Sequence, residues 1–303
     1  RVGGPGDPDF VDWLAVERSE AREYDMGLHR HWLDPTRPFA ETVLKQAHGA
    51  LLTSATLRGS VGEGWAQAEA RTGAAHLEGP VQRFEAASPF DYGRQAEILI
   101  VTDVKRGDIA ALSAAYARLI EASQGGALGL FTAIRRLRAV HARIADRLAR
   151  ASLPLYAQHV DPIDTGTLVD IFRDDMRASL LGTDALRDGV DVPGRSLRLV
   201  VFDKVPWPKP TILHKARRAK FGKGYDDLLT RFRLKQAFGR LIRGPQDKGC
   251  FVILEGATPS RLLPAFPPDA PVKRCGLAEA IGDIRGFLGP DAVTGGHPPL
   301  ITG

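Results

Sequence analysis

Cysteine and methionine are scarce in this sequence, which contains only two of each in 303 residues. Two cysteines are too few for a disulfide framework, and Cys250 opens the apolar run CFVIL, where a buried thiol is expected. We therefore predict that Cys250 and Cys275 are reduced structural residues. The sequence also offers no ligand set with the spacing of a metal site or an iron–sulfur cluster.

Long apolar runs are absent as well. No run of about 18 apolar residues is available to span a bilayer, and the opening RVGGPGDPDFVDW lacks the apolar segment of a signal peptide. These absences favour a cytoplasmic protein with no membrane partner. The sequence does not begin with methionine, and its first glycines and prolines are typical of a linker, so we expect a piece of a longer protein.

Acidic residues are scarce in two segments, which are strongly basic although the net charge of the chain is only +5. Residues 204–248 contain thirteen Lys and Arg against three acidic residues, and residues 135–150 contain six against one. Such segments suit phosphates, because a polyanion releases counterions when Lys and Arg bind it. A basic helix face that only contacts solvent is the alternative.

From residue 93 onward, short apolar runs alternate with amphipathic helical segments. The runs EILIVTD, ALGLFT, LPLYAQ, ASLLGT, SLRLVVFD and CFVILE have the length and composition of buried strands. This alternation predicts an α/β fold with a parallel sheet and helices on both faces. Before residue 93 only two strands are expected, at 50–53 and 81–86. We therefore predict two domains, 1–92 and 93–303, of which the first is incomplete.

Small and charged residues follow several of the apolar runs, at the place where open α/β sheets bind their ligands. TSAT, which ends at Thr56, offers three hydroxyl groups. GTDALRDGVDVPG combines Thr183 and three aspartates with glycines that allow tight turns. Plain turns use the same residue types, so an ordinary loop is the alternative for both segments.

The segment KQAFGRLIRG has a more demanding spacing. In a helix predicted over 225–242, Gln236, Arg240 and Arg243 occupy positions i, i+4 and i+7 and share one face. Planar guanidinium groups fit phosphate oxygens, so two of them on one face suit the terminal phosphate of a nucleotide. Gly239 within that helix costs about 1 kcal/mol relative to alanine, which is explained if another group approaches closely there.

Taken together, these segments resemble the ordered motifs of superfamily 2 helicases. TSAT resembles motif III, GLFTAIRRL resembles motif IV, GTDALRDGVDVPG resembles motif V, and Q-x-x-G-R-x-x-R from Gln236 resembles motif VI. The finer resemblance is to the DinG/XPD-like helicases, through the phrases SPFDY, LLTSATL, GVDVPG, DKVPWPKP and GRLIRGPQDKG. It extends over essentially the whole chain from about Ala50.

The resemblance implies an ATP-dependent DNA helicase that moves 5′ to 3′ along single strands, with two RecA-like domains clamping ATP between them. Arg240 and Arg243 would face the ATP phosphates and stabilise charge during phosphoryl transfer. Gln236 would couple the nucleotide to motif V. The other nucleotide-binding residues implied by the family motifs are Gly189, Asp191 and Gly239.

The same resemblance implies a path for DNA. Thr132 and Thr183, at strand ends in motifs IV and V, would contact the DNA backbone together with Arg135. Ser54 and Thr56 in motif III would link hydrolysis to DNA binding. The implied partner is single-stranded or forked DNA.

Two parts of a complete helicase are absent from the sequence: the phosphate loop G-x-x-x-x-G-K-[ST] and the acidic D-E-x-H box that holds magnesium. Cysteines that bind an iron–sulfur cluster in some family members are absent too. We therefore expect the end of helicase domain one and all of domain two, with the amino-terminal part of domain one as the missing partner. ATP and Mg²⁺ are expected in the full-length parent, and none bound by this chain alone.

Two other functions remain open. One is a non-catalytic module that binds single-stranded nucleic acid through its basic helices, with the helicase motifs as relics. The other is a small-molecule transferase on a doubly wound fold, for which the sequence shows no nucleophile and base at a diagnostic spacing.

Overall fold

The computed structural model describes residues 7–19, 22–58, 64–183, 186, 192 and 194–289. The chain folds as two compact units. The first comprises 1–86 and 207–232, and the second comprises 87–206 and 233–303. The division into helicase domains at residue 92 stays a prediction, because compactness alone does not identify a helicase domain.

The strands and helices within the described residues are as follows. The strands are β1 (Phe10–Ser19), β2 (Arg22–Trp32), β3 (Ala96–Val101), β4 (Ala127–Phe131), β5 (Leu155–Ala157), β6 (Ser179–Thr183), β7 (Leu199–Phe202), β8 (Gly249–Ile253) and β9 (Val272–Cys275). The helices are α1 (Thr36–Thr42), α2 (Trp65–Thr72), α3 (Tyr92–Gln95), α4 (Ile109–Ala122), α5 (Ile134–Arg150), α6 (Thr165–Asp174), α7 (Ile212–Phe221), α8 (Tyr225–Phe238) and α9 (Leu277–Leu288). None of these helices is long and apolar enough to cross a membrane.

The first unit contains an antiparallel hairpin, β1–β2, that the sequence pattern does not predict. A half-buried strand is recognised by alternation of apolar and polar residues. In β1 both faces carry apolar residues, so apolar and polar residues do not alternate along the strand. One face carries four exposed apolar side chains, Leu14, Val16, Met26 and Leu28.

Two predicted strands in the first unit are wrong. Residues 50–53 and 81–86 have no regular structure, and Leu51 and Phe84 are 89% and 88% exposed. A strand requires partners for its N–H and C=O groups. No strand among the described residues pairs with either segment, so the apolar sequence alone does not produce a strand.

The second unit contains a seven-stranded parallel sheet in the order β5-β6-β4-β7-β8-β3-β9. This confirms the predicted α/β fold with a parallel sheet. The edge strand β9 is the one strand of this sheet that the sequence analysis misses. Two of its four residues, Lys273 and Arg274, are charged, so β9 lacks the apolar run of the inner strands; it pairs with β3 alone.

Alternate residues of the strands pack against helices on opposite faces of the sheet. In β3, Leu99 and Val101 join a core that includes residues of α4, α5 and α9. Ile98 and Ile100 point to the other face and are also fully buried. Burial on both faces accounts for the nearly continuous apolar runs of the central strands. The helix α5 contributes one apolar stripe, Leu137, Val140, Ile144 and Leu148.

A buried arginine joins several turns at the amino edge of the sheet. Arg198, which is 2% exposed, donates hydrogen bonds to the main-chain oxygens of Ser123 (2.8 Å), Gln124 (2.7 Å), Met176 (2.9 Å) and Arg195 (2.6 Å). Burial lowers the pKa of Arg198 to about 10, so the guanidinium stays charged at neutral pH. Its four acceptors offset the cost of burying that charge.

Gly126 provides the space for this guanidinium. Its φ is +62°, and a Cβ on it would lie 2.4 Å from Nη1 of Arg198. Glycine is therefore required here both for the backbone conformation and for the close approach of the arginine.

We predict that Arg198→Met lowers the free energy of unfolding by more than about 3 kcal/mol, because it removes the four hydrogen bonds of a buried guanidinium and each charge-assisted hydrogen bond contributes about 1.5–3 kcal/mol. Urea denaturation measures the change. Arg150→Met, at the exposed end of α5, is the matched control and should change stability by no more than about 0.5 kcal/mol. Equal losses in the two variants would contradict the prediction.

Candidate functional site

Four polar residues lie in a row at the carboxyl edge of the sheet in the second unit. The strands β5, β6, β4 and β7 are successive neighbours. Thr183 is the last residue of β6, and Gln158, Thr132 and Asp203 directly follow β5, β4 and β7. Phe131 is the register partner of Thr183, so Thr132 and Thr183 lie close together on adjacent strands. The structure thus brings together two of the predicted DNA-contacting residues. We call these four residues the carboxyl-edge row.

Thr132 is held by Asp203. Its main-chain N–H donates to Oδ1 of Asp203 at 3.0 Å, and its hydroxyl donates to Oδ2 at 3.4 Å. The N–H of Asp203 donates in turn to the carbonyl of Leu130 at 3.2 Å. The side chain of Asp203 thus continues the hydrogen bonding between β4 and β7 beyond the last paired residues.

Thr183 is held by Gln158 in the same way. Its main-chain N–H and its hydroxyl both donate to Oε1 of Gln158, each at 3.1 Å. The N–H of Gln158 donates to the carbonyl of Leu181 at 2.9 Å. The two threonines therefore occupy equivalent positions, each two residues after the carbonyl that its neighbouring strand binds.

Asp203 is a buried carboxylate with two cationic neighbours, Arg136 and Lys204. Nε of Arg136 lies 2.8 Å from Oδ2 and forms an ion pair with it, without the alignment of a hydrogen bond. Burial raises the pKa of Asp203, and the Arg136 charge together with the hydrogen bonds from Thr132 opposes that rise. Nearby, the buried hydroxyl of Tyr116 donates to the carbonyl of Val201 at 3.2 Å.

Arg135 lies beside the row. It is exposed in the first turn of α5, which begins directly after the loop that carries Thr132. The next exposed arginine on this helix, Arg138, donates from Nε to the carbonyl of His159 at 3.0 Å. The edge therefore combines hydroxyl donors with exposed positive charge, a combination that suits phosphate groups.

The arginines of the motif VI segment do not share a helical stripe, which corrects our prediction. Helix α8 ends at Phe238, where a helix to residue 242 was predicted. The N–H of Arg240 donates to the carbonyl of Ala237, and that of Leu241 to Phe238, so the chain tightens into i→i+3 turns. Leu241 is buried against Gly249 at the start of β8, and the chain must leave the helix to reach it.

Gly239 therefore follows the helix and does not interrupt it. A Cβ there would lie 3.4 Å from the carbonyl oxygen of Lys235, an ordinary contact. The contacts made by the described residues therefore do not require a glycine at this position. Gln236 is exposed in the last turn of α8, Arg240 is half-buried and Arg243 is exposed.

The turn that carries Arg243 is held in place by two residues that the sequence analysis did not select. Oδ2 of Asp247 accepts the main-chain N–H groups of Arg243 (2.8 Å) and Gly244 (2.7 Å). Nε2 of the buried Gln95 donates to the carbonyls of Gly244 and Asp247, both at 3.0 Å, and its Oε1 accepts the N–H of Asp91. This turn, residues 239–248, is called the arginine turn below.

The arginine turn and the carboxyl-edge row lie at opposite edges of the sheet. Gln95 immediately precedes β3, and the turn leads directly into β8, so the turn lies at the amino edge. The structure therefore separates Arg240 and Arg243 from Thr132 and Thr183.

Ser54 and Thr56 belong to the first unit. The hydroxyl of Ser54 accepts the N–H of Thr56 and lies 3.1 Å from its hydroxyl, in an exposed turn. Gly189 and Asp191 lie outside the described residues.

Both cysteines are buried and free. Burial raises the pKa of Cys250 well above its usual value, so its thiol is unreactive at neutral pH. Across the part of the chain that the structure covers, no three His, Cys, Asp or Glu side chains are grouped closely enough to hold a metal ion.

The sequence contains a weak signal for the three functional residues that the sequence analysis did not select. Gln158 and Asp203 end the apolar runs LPLYAQ and SLRLVVFD, and Gln95 directly precedes EILIVTD. A polar residue at the end of a buried strand can reach the next strand, but its partner depends on strand order. That order is not visible in the sequence.

A comparison with family models defines the class of the central part of the chain. Residues 116–261 match the helicase C-terminal domain family. Together with the parallel sheet, this match identifies a helicase C-terminal domain with an α/β fold.

Similarity to curated relatives assigns the chain to a narrower group of helicases. ATP-dependent helicase DinG of Mycobacterium tuberculosis is 33% identical over 266 residues, which cover 83% of this chain and 39% of that protein. ATP-dependent DNA helicase YoaA of Escherichia coli is 30% identical over 267 residues, which cover 82% of this chain and 40% of that protein. The chain belongs to the DinG-like helicases and spans about two-fifths of the length of these two relatives.

Among solved structures, an XPD helicase aligns over 59% of this chain and 35% of its own length. Its TM-score is 0.45 and its sequence identity is 18%. A similarity of this size contributes nothing to the functional assignment.

We predict that Gln95→Leu lowers the free energy of unfolding by about 2–3 kcal/mol, because it removes three hydrogen bonds and leaves the carbonyls of Gly244 and Asp247 without their donor. Chemical denaturation measures the loss. Gln246→Leu, an exposed residue in the same turn, should be nearly neutral. A Gln95 variant as stable as the Gln246 variant would show that the turn does not depend on this glutamine.

Proposed function

We propose that this chain supplies the second RecA-like domain of an ATP-dependent DNA helicase that moves 5′ to 3′ along single strands. The observation that carries the proposal is the arginine turn, in which hydrogen bonds with Asp247 and Gln95 fix the main chain at exposed Arg243. A fixed main chain limits where the guanidinium can lie, and a phosphoryl-transfer site gains from positive charge that needs little reorganisation during the reaction.

The residues of the turn fit the phosphate end of ATP. Arg240 and Arg243 carry planar, permanently charged donors, which match phosphate oxygens. Gln236, in the preceding helical turn, adds an exposed amide. In the proposed helicase, ATP supplies the cleaved phosphoanhydride bond, and these side chains bind and orient its phosphates. Gly189, Asp191 and Gly239 are proposed to complete this side of the site.

We propose that magnesium binds to the other RecA-like domain. A Mg²⁺ ion that accompanies ATP is held by one or two carboxylates together with phosphate oxygens. The acidic box that would supply such carboxylates is absent from this sequence, and so is the phosphate loop. We therefore assign both to the other RecA-like domain and expect no tight ATP binding by this chain alone. Nothing in the sequence supports an iron–sulfur cluster.

The carboxyl-edge row is the proposed DNA contact. Thr132 and Thr183 offer hydroxyl donors on adjacent strands, and Arg135 adds an exposed charge beside them. Donors of this kind bind phosphates without reading bases, as translocation along any sequence requires. Single-stranded or forked DNA is the proposed ligand.

The proposed protein partner is the missing amino-terminal part of helicase domain one. The first unit exposes apolar side chains at Leu28, Leu51 and Phe84, each 88–89% accessible. The last two belong to segments with strand-like sequences but no strand partner. A sheet from the rest of domain one would pair with these segments and cover the apolar side chains. Ser54 and Thr56 would then lie next to that sheet and link hydrolysis to DNA binding.

We propose a cytoplasmic location for the whole protein.

We predict that this chain alone does not hydrolyse ATP, whereas the longer helicase does so in response to single-stranded DNA. Arg243→Ala in the longer protein should lower the stimulated rate by about 10³-fold or more, the effect of removing an arginine that stabilises phosphoryl transfer. Phosphate release measures the rate. Arg118→Ala, an exposed arginine on α4, is the matched control and should retain the rate.

A DNA-stimulated rate in this chain alone would refute the assignment of the phosphate loop and acidic box to another domain. If the longer protein binds single strands but shows no stimulated hydrolysis, the non-catalytic binding module is the correct function.

A second prediction concerns DNA binding by this chain. Arg135→Ala should weaken binding to a single-stranded oligonucleotide regardless of base composition. It should also reduce the slope of log affinity against log salt concentration by about 0.7, the value for one lost phosphate contact on a single strand. Fluorescence anisotropy over a salt series measures both quantities, with Arg118→Ala again as control. An unchanged slope would remove Arg135 from the interface.

A further inference from the structure

Side chains extend the hydrogen bonding of the sheet at four places along its carboxyl edge. Besides Gln158 and Asp203, Glu255 accepts the N–H of Val205 at 2.8 Å and Asp103 accepts the N–H of Leu277 at 2.8 Å. Glu255 and Asp103 bind only a main-chain N–H. Gln158 and Asp203 each bind a threonine hydroxyl as well. The hydroxyl bonds are therefore not needed for extending the sheet.

Each threonine hydroxyl can donate its proton to only one acceptor at a time. A threonine hydroxyl has one proton to donate, and a phosphate oxygen bound by it can only accept. In the structure that proton is directed at Gln158 or Asp203. A phosphate contact therefore requires the hydroxyl to turn away from its internal acceptor. The main-chain N–H cannot turn, so it keeps its bond.

The geometry favours release of the hydroxyl alone. At Asp203 the hydroxyl bond is long, 3.4 Å, against 3.0 Å for the N–H bond. At Gln158 the acceptor is a neutral amide oxygen that retains the N–H bond after the hydroxyl leaves. The Arg136 ion pair offsets the charge of Asp203, so a phosphate near Thr132 does not meet an uncompensated carboxylate.

We propose that Gln158 and Asp203 are positioning residues for DNA binding: each fixes its threonine through the main-chain N–H and releases the hydroxyl proton to a phosphate oxygen. The inference rests on the proposed contact between these threonines and DNA. DNA binding then exchanges one hydrogen bond at each threonine without disturbing the end of the strand.

A double-mutant cycle on this chain tests the proposal at Thr183. We expect Thr183→Val to weaken binding of a single-stranded oligonucleotide about fivefold, the effect of one hydrogen bond. Gln158→Leu should weaken binding by a similar factor in the wild-type chain. In the Thr183→Val chain it should change affinity less than twofold, because no hydroxyl is left to position. Thr165→Val, which removes the acceptor 3.4 Å from Nε2 of Gln158, is the control and should leave affinity unchanged.

Amide hydrogen exchange separates positioning from a general loss of structure. The Thr183 N–H should stay protected when the oligonucleotide binds. Gln158→Leu should speed its exchange at least tenfold, while Gln158→Glu, which keeps an acceptor oxygen, should retain the protection. Loss of protection on DNA binding would overturn the proposal, and so would additive losses in the cycle.

Different results would refute the proposed DNA contact and the positioning role. If Thr183→Val and Thr132→Val both bind DNA as tightly as the wild-type chain, the proposed DNA contact itself is wrong. If Thr183→Val weakens binding but Gln158→Leu adds its full effect to it, the DNA contact stands and only the positioning role is refuted.

Discussion

The end of a parallel sheet poses a problem of hydrogen bonding on which the carboxyl edge of this protein depends. Where parallel strands stop pairing, N–H groups near the last residues lose their main-chain partners, and a buried N–H without a partner is costly. Here side-chain oxygens from the neighbouring strands accept them, at Gln158 and Asp203 among others. The solution uses residues that reach across to the next strand, so the loops that follow begin from fixed positions.

The same sheet separates the two proposed activities. The carboxyl-edge row and the arginine turn lie at opposite edges, and the strands between them are buried on both faces. A strand of five residues is roughly 17 Å long. DNA and the phosphates of the nucleotide would therefore contact this unit at separate surfaces joined by its buried sheet. A change at one surface reaches the other only by moving the sheet as a whole or by moving a neighbouring domain.

The central strands could be predicted because their sequences report burial on both faces, as in Leu199–Phe202. The contacts within the candidate site could not be predicted from the sequence. Thr183 and Gln158 are 25 residues apart in the chain, and Thr132 and Asp203 are 71 apart, so each pair depends on strand order and register. The end of α8 was missed for a related reason: Leu241 leaves the helix to pack against Gly249, a tertiary contact that overrides helical periodicity.

The two units show that an apolar run becomes a strand only when it has a partner. Residues 127–131 and 50–53 both have apolar, strand-like sequences, but only the former lies between neighbours that accept its hydrogen bonds. The consequence extends to the residues that follow. Thr132 is fixed because β4 is paired, whereas Ser54 and Thr56 form a local turn after an unpaired segment. A sheet that paired with 50–53 would place these two hydroxyls at the end of a strand, the position that Thr132 holds in the second unit.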